Sequence, residues 1–121
     1  MTEIDPIYQE IILDLYRHPH NSGVIEQADF DAEDANTSCG DVIRLTIKFT
    51  NDTVTEVAHS GYGCAISQAA VSLLTDNIKG KTKEELAHIT TDDMITMLGI
   101  PISHTRMKCA TLGLKILQTV H

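Results

Sequence analysis

At 121 residues the chain has the length of one domain, and a domain of this size buries enough surface to fold unaided. Its hydrophobic share of 42% is ordinary, but aromatic residues make up only 4%, so an aliphatic core is expected. The formal net charge of -8 argues against nucleic acid as a partner, because nucleic-acid-binding proteins present a basic surface.

The sequence also argues against a membrane protein and a secreted protein. No apolar stretch approaches the roughly 20 residues that cross a bilayer, and the acidic N-terminus does not resemble a secretory signal. We therefore expect a cytoplasmic protein with no membrane partner. Three cysteines in a reducing compartment point away from disulfides and toward metal binding or thiol chemistry.

The first predicted element is a helix over residues 4–16, where apolar side chains recur at helical spacing. Asp5 followed by Pro6 is a favoured N-cap and first helical position. The helix should end before the segment that carries His18 and His20, which is rich in turn-forming residues. These two histidines are candidate metal ligands, but an exposed turn is the more frequent outcome.

The next elements are strands. Residues 26–38 are acidic and small, with a pattern that hints at a short edge strand through Ala28, Phe30, Ala32 and Ala35. The acidic part of this segment is interpreted as a solvated face, with docking to a basic partner as the alternative. Residues 42–49 alternate apolar and polar side chains, Asn51 and Asp52 supply a turn, and residues 53–59 return as the antiparallel partner.

Helices fill the second half of the chain. Residues 64–78 have helical spacing, with Cys64 at the N-terminus, where the helix dipole stabilises a thiolate. A capping box at residues 82–85 starts a short helix through Ile89, residues 90–93 cap another, and a final helix spans about 103–120. The predicted class is α+β, a single domain over residues 1–121 with an antiparallel sheet of about three strands and helices on one face.

The chemistry is concentrated in three cysteines and one carboxylate. Cys39 and Cys64 each stand beside glycine at an element boundary, Cys109 lies in the last helix, and Asp41 lies two residues after Cys39 on the same side of an extended segment. Each has an ordinary alternative, since free cysteine packs as a small hydrophobe and Asp is common in turns. Their spacing matches no CxxC knuckle. If the fold brings them together, they form a cage suited to zinc or an iron-sulfur cluster.

The motifs around these residues resemble those of the IscU/SufU/NifU N-terminal family of iron-sulfur cluster assembly scaffolds. The similar stretches are Cys39-Gly40-Asp41, Gly61-Tyr62-Gly63-Cys64-Ala65-Ile66-Ser67, Arg106-Met107-Lys108-Cys109-Ala110-Thr111-Leu112 and the opening segment from Tyr8 to Gly23. They fall in the family's order and cover nearly the whole chain.

This resemblance implies a scaffold that receives sulfur from a pyridoxal-phosphate cysteine desulfurase. Such a protein assembles a [2Fe-2S] cluster or relays persulfide sulfur, and it passes its product to downstream iron-sulfur acceptor or carrier proteins. By the matching motifs, the ligands of zinc, iron or the cluster are Cys39, Asp41, Cys64 and Cys109.

The chain departs from the IscU branch at two places. Lys108 stands where that branch has a histidine ligand, which makes Asp41 the expected fourth ligand, with His104 as an alternative. Residues 100–105 replace the chaperone-recognition stretch Leu-Pro-Pro-Val-Lys. The last motif looks more like that of the SufU branch, which binds zinc tightly, although the long insertion of that branch before its last motif is absent.

The resemblance also implies a mechanism in which a thiolate attacks the outer sulfur of the desulfurase persulfide. Cys39 or Cys109 is the expected acceptor, and the SufU-like motif favours Cys39. Arg106 and Lys108 are placed to support the negative charge on sulfur, or are simply solvated cations. Two other classes stay open, namely a structural zinc domain without turnover and a cysteine hydrolase that pairs Cys64 or Cys109 with a histidine base such as His59 or His104.

Overall fold

A computed structural model describes the chain from residue 6 to residue 121, with side chains from residue 9 onward. Asp5, the predicted N-cap, and Ile4 lie outside the described residues. The elements run in the order α1 (Pro6–Arg17), β1 (Phe30–Asn36), β2 (Asp41–Thr50), β3 (Thr53–Tyr62), α2 (Ala65–Ile78), α3 (Lys83–Ala87), α4 (Thr91–Leu98), a 3₁₀ turn (His104–Arg106) and α5 (Met107–Leu117). The predicted α+β class is confirmed.

The sheet is a three-stranded antiparallel meander in the order β1-β2-β3. Ile43, Leu45 and Ile47 on the central strand are buried beneath the helices, as the alternating pattern predicts. On the opposite face Thr46 is also buried, and its hydroxyl accepts the Ile25 N–H at 3.1 Å. The loop between α1 and β1 therefore covers part of the second face.

The helical layer is organised around α2, which lies against α1, α4 and α5 as well as β3. Its buried positions, including Ala69, Ala70 and Leu74, present small and branched side chains to these neighbours. Among the residues whose side chains are described, the buried hydrophobic core contains no aromatic ring, in agreement with the aliphatic core expected from the composition. None of the helices in this part of the chain is long and apolar enough to cross a membrane.

Capping signals in the sequence locate the two short helices. Thr82 and Glu85 form a capping box at the start of α3, and Thr90 and Asp93 form another at the start of α4. Gly99 ends α4 with a positive φ of 70°.

Some element boundaries and faces differ from the sequence-based expectation. The final helix is shorter than predicted, because a 3₁₀ turn precedes it and it ends at Leu117. Cys109 consequently lies in its first turn. In β1, Ala35 faces solvent because it lies on the opposite side of the strand from Phe30 and Ala32, which pack toward the core. In α1, Ile11 belongs to the predicted apolar stripe but is 43% exposed.

Gly61 in β3 provides a test of the sheet. Its φ is +125°, and a Cβ at this position would overlap the Val42 carbonyl oxygen on the paired strand. Gly61→Ala should lower the free energy of unfolding by about 2 kcal/mol more than Gly23→Ala, because overpacking adds to backbone strain. Gly23 is the matched control, since its φ is +138° and a Cβ added there would meet no atom within 4 Å. Urea denaturation measures both variants, and equal losses would contradict the packing argument.

Candidate metal centre

Asp41, the first residue of β2, is a fully buried carboxylate. Its Oδ1 accepts the Cys64 N–H at 2.8 Å and the Ser67 hydroxyl at 3.2 Å. A buried carboxylate is costly unless it is hydrogen-bonded or paired with a cation. These two bonds satisfy one oxygen and tie the start of β2 to the first turn of α2.

Asp41 belongs to a cluster of potential metal ligands. One ligand atom each from Cys39, Asp41 and Cys109 can be chosen so that all three lie within 4.8 Å of one another. The three residues come from the turn before β2, the start of β2 and the first turn of α5. Oδ1 accepts two hydrogen bonds and Oδ2 accepts one, from Asn36, so Oδ2 has more lone-pair capacity left for a cation. Two thiols and a carboxylate are donors that zinc and iron both accept.

Cys64 is placed differently from the other two cysteines. It is the N-cap residue of α2, and its Sγ accepts the Ser67 N–H at 3.5 Å. It is not a member of the cluster of three ligand atoms, although its thiol is near enough to Cys109 to influence that group. The predicted position at a helix N-terminus is thus observed, while ligation by Cys64 stays a prediction.

The electrostatics of the thiols reflect burial and crowding. Burial raises the pKa of the Cys109 thiol far above its ordinary value, and the neighbouring Cys39, Asp41 and Cys64 raise it further. A bound metal cation reverses this effect, since a coordinating thiol is deprotonated. A cation bound at the cluster would therefore favour the thiolate form of Cys109.

Arg106 brings a positive charge to the same place. The Cys109 and Cys64 sulfurs beside its guanidinium raise the pKa of Arg106, which is exposed at the start of α5. The sequence-based expectation that Arg106 lies by the thiols agrees with this placement.

Gly63 makes the close approach of α2 to Asp41 possible. A Cβ at Gly63 would overlap Asp41 Oδ1 and would lie 2.6 Å from Ser67 Oγ. Any side chain at this position would displace the carboxylate, as expected for a glycine that lets the backbone approach a ligand site.

Cys39 is the accessible thiol of the cluster. It is half-buried, whereas Cys109 is fully buried. Cys39 lines an open cavity of about 330 Å³ together with Ser38, His104, Thr105 and Lys108. A molecule or protein segment that enters this cavity contacts Cys39.

The histidines hold other positions. His59 is buried with its Nε2 2.8 Å from the His20 carbonyl oxygen and 3.2 Å from Ser72 Oγ, and burial lowers its pKa. His20 itself contacts Asp76, in the loop position predicted for it. His104 shares the cavity with Cys39 but is not a member of the metal-ligand cluster found among the described residues.

Two site residues escape sequence reasoning. Ser67 donates to Asp41, and Asn36 places its side-chain Nδ2 3.5 Å from Asp41 Oδ2 and 3.6 Å from Cys109 Sγ. The only signal for Asn36 is its place three residues before Cys39, where its carbonyl accepts the Cys39 N–H at 3.2 Å in the turn between β1 and β2.

Known proteins are similar to this chain in both sequence and fold. The chain matches the family model of the NifU-like N terminal domain over residues 7–120. It is 34% identical to the zinc-dependent sulfurtransferase SufU of Bacillus subtilis (strain 168), with 95% of this chain and 89% of the relative covered. The iron-sulfur cluster assembly scaffold protein IscU of Streptococcus pyogenes serotype M1 is 31% identical, with 93% and 81% covered.

A solved structure agrees with these relatives. A crystal structure of a protein assigned to iron-sulfur cluster assembly in the SUF system of Fervidobacterium islandicum AW-1 has a TM-score of 0.81, with 32% identity and 93% and 95% of the two chains covered. The alignment with the Bacillus protein spans 132 positions, more than the 121 residues of this chain, so that relative carries extra residues. The sequence match, the shared fold and the motifs around Cys39, Cys64 and Cys109 together show that the chain belongs to the NifU-like N-terminal domain family.

Proposed function

We propose that this protein takes part in iron-sulfur cluster assembly by accepting sulfur from a cysteine desulfurase at a metal centre. The observation that carries the proposal is the convergence of Cys39, Asp41 and Cys109 into one cluster, in which Asp41 and Cys109 are fully buried and Cys39 is half-buried. Relatives described as iron-sulfur cluster assembly scaffolds and as a zinc-dependent sulfurtransferase support it. We place this activity in the cytoplasm, with iron-sulfur acceptor or carrier proteins downstream.

The metal ligands in this proposal are Cys39, Asp41, Cys64 and Cys109. Three of them form the cluster, and Cys64 lies at the N-terminus of α2, close to Cys109. A bound zinc ion would keep the cysteines in the thiolate form, because ligation requires deprotonation. The carboxylate of Asp41 supplies a harder donor than the thiolates and is anchored through its other oxygen.

Cys39 is the sulfur acceptor that the geometry favours. Its thiolate attacks the outer sulfur of the desulfurase persulfide, a new S–S bond forms on Cys39, and the S–S bond of the donor breaks. The desulfurase leaves as a thiolate, so no external oxidant or reductant is needed. Cys39 is chosen over Cys109 because it lines an open cavity, whereas Cys109 has no exposed surface.

Arg106 and Lys108 assist by charge. Arg106 lies beside the Cys64 and Cys109 sulfurs, and Lys108 lines the cavity that contains Cys39. A persulfide that forms on Cys39 is anionic, and these two cations offset its charge in a protein whose net charge is -8. Both residues are near neighbours of Cys109, on α5 or on the turn that precedes it.

The product that forms on the protein distinguishes two versions of this function. A scaffold combines the accepted sulfur with iron into a [2Fe-2S] cluster on the protein, whereas a sulfur relay passes the persulfide onward and retains zinc. The protein is purified without oxygen, its zinc and iron are quantified, and desulfurase, cysteine and iron are then added. Visible absorption of a cluster supports the scaffold, persulfide without a cluster supports the relay, and neither product would contradict the whole proposal.

The chelator response tests the proposal against a structural zinc domain. The aliphatic core lies between the sheet and the helices and does not depend on the thiols, so we expect metal-free protein to keep its far-UV circular dichroism. Iodoacetamide labelling of Cys39 should rise after chelation, since ligation protects a thiolate. Loss of the folded signal on chelation would favour a structural site, and labelling that ignores the chelator would favour a hydrolase thiol.

Asp41→Asn tests the carboxylate as a ligand. The amide oxygen can still accept the hydrogen bonds from α2, but the anionic donor is lost. We expect metal affinity to fall at least about tenfold, measured by competition with a chromophoric chelator. Ser67→Ala is the comparison variant, because it removes one bond to Oδ1 and keeps the anionic donor. It should cost about 1 kcal/mol of stability, keep metal stoichiometry and lower metal affinity less than Asp41→Asn does. Unchanged affinity in Asp41→Asn would exclude the carboxylate from the ligand set.

The position of the accepted sulfur tests the choice of Cys39. After incubation with desulfurase and cysteine, the persulfide is trapped by alkylation and located by mass spectrometry of peptides. We expect the extra sulfur on the peptide that contains Cys39. Sulfur found mainly on the peptide that contains Cys109 would show that burial does not decide the acceptor.

A further inference from the structure

We propose that Asn36 is a positioning residue that keeps Cys109 as a metal ligand and leaves Cys39 as the sulfur acceptor. The proposal deepens the proposed function and rests on it, because it divides two roles among the cysteines of that site. Asn36 is the last residue of β1 and is paired with Asp41 in the antiparallel ladder.

Three contacts join Asn36 to the site. Its Nδ2 lies 3.6 Å from Cys109 Sγ and 3.5 Å from Asp41 Oδ2. Its backbone carbonyl accepts the Cys39 N–H at 3.2 Å. A thiolate and a carboxylate are both acceptors, so only the amide nitrogen, which has two hydrogens, can serve both. Asn36 therefore contacts all three members of the metal-ligand cluster.

Asn36 contacts the side chain of Cys109 but only the backbone of Cys39. Cys109 Sγ receives an N–H donor, which draws electron density from the sulfur, fixes its position and makes the thiolate a weaker nucleophile. Cys39 is held only through its backbone, so its sulfur receives no donor from Asn36. Hydrogen bonds from such outer residues orient metal ligands and tune their electronic properties. The burial of Cys109 and the open cavity at Cys39 act in the same direction.

The contact with Cys109 is tested without the desulfurase. Asn36→Leu keeps the branched shape of the side chain but is larger and has no donor, and Asn36→Ala is a smaller second variant in case leucine does not fit. Both keep the backbone bond to Cys39. With cobalt(II) in place of the native metal, the thiolate-to-cobalt absorption band should move to longer wavelength, and affinity should fall about ten- to a hundredfold. Thr37→Ala, at an exposed neighbouring position, is the control and should leave band and affinity unchanged.

The division of roles is tested by mapping the persulfide in the same variants. In wild-type protein we expect the sulfur on Cys39, and in the Asn36 variants the share on Cys109 should rise several-fold. An unchanged cobalt band together with an unchanged persulfide position would overturn the assignment of Asn36 and leave the proposed function standing. A wild-type protein that takes no sulfur would instead overturn the proposed function and, with it, the division of roles.

Discussion

The hydrogen bonds from α2 to the buried carboxylate of Asp41 are the constraint on which the site depends. They fix the start of the central strand against the N-terminus of the central helix. The same carboxylate lies in the cluster with Cys39 and Cys109, and its other oxygen accepts a hydrogen bond from Asn36. One residue thus provides a structural anchor and a candidate ligand, and Gly63 leaves the space in which this contact forms.

The three cysteines around Asp41 differ in their position on the secondary structure and in their burial. Cys64 caps α2, Cys109 lies in the first turn of α5, and Cys39 lies in the turn that enters β2. The two helix N-termini favour negative charge, while burial and the proximity of other acidic groups oppose ionisation of Cys109. A cation bound at the cluster would remove this opposition, because it would stabilise the thiolates.

Much of this arrangement could be read from the sequence, for physical reasons that differ between elements. The alternation in residues 42–49 predicted β2, and the threonine caps predicted α3 and α4, because these signals are local. The position of Cys64 at a helix N-terminus followed from the glycines before it and the helical spacing after it. The family motifs predicted that the three cysteines and Asp41 share one site, and the structure brings Cys39, Asp41 and Cys109 together.

The parts that could not be predicted depend on contacts between distant segments. Asn36 has an ordinary turn-forming side chain, and only the docking of α5 against β1 places it by Cys109. In the sequence Ser67 is an ordinary residue of the first helical turn, and only the fold brings its hydroxyl within hydrogen-bond distance of Asp41. The difference between an accessible Cys39 and a buried Cys109 also arises from packing, since both stand near element boundaries in the sequence.

The origin of Cys109 on the last helix has a consequence for the order of events during synthesis. The sheet and α2 precede α5 in the chain, so the cluster lacks one thiol until α5 has emerged from the ribosome and docked against α2 and β1. A metal site that uses Cys109 as a ligand would therefore be complete only after nearly the whole chain has folded. A nascent or truncated chain would hold Cys39 and Asp41 without their partner, and the loaded site marks a molecule whose early and late segments have come together.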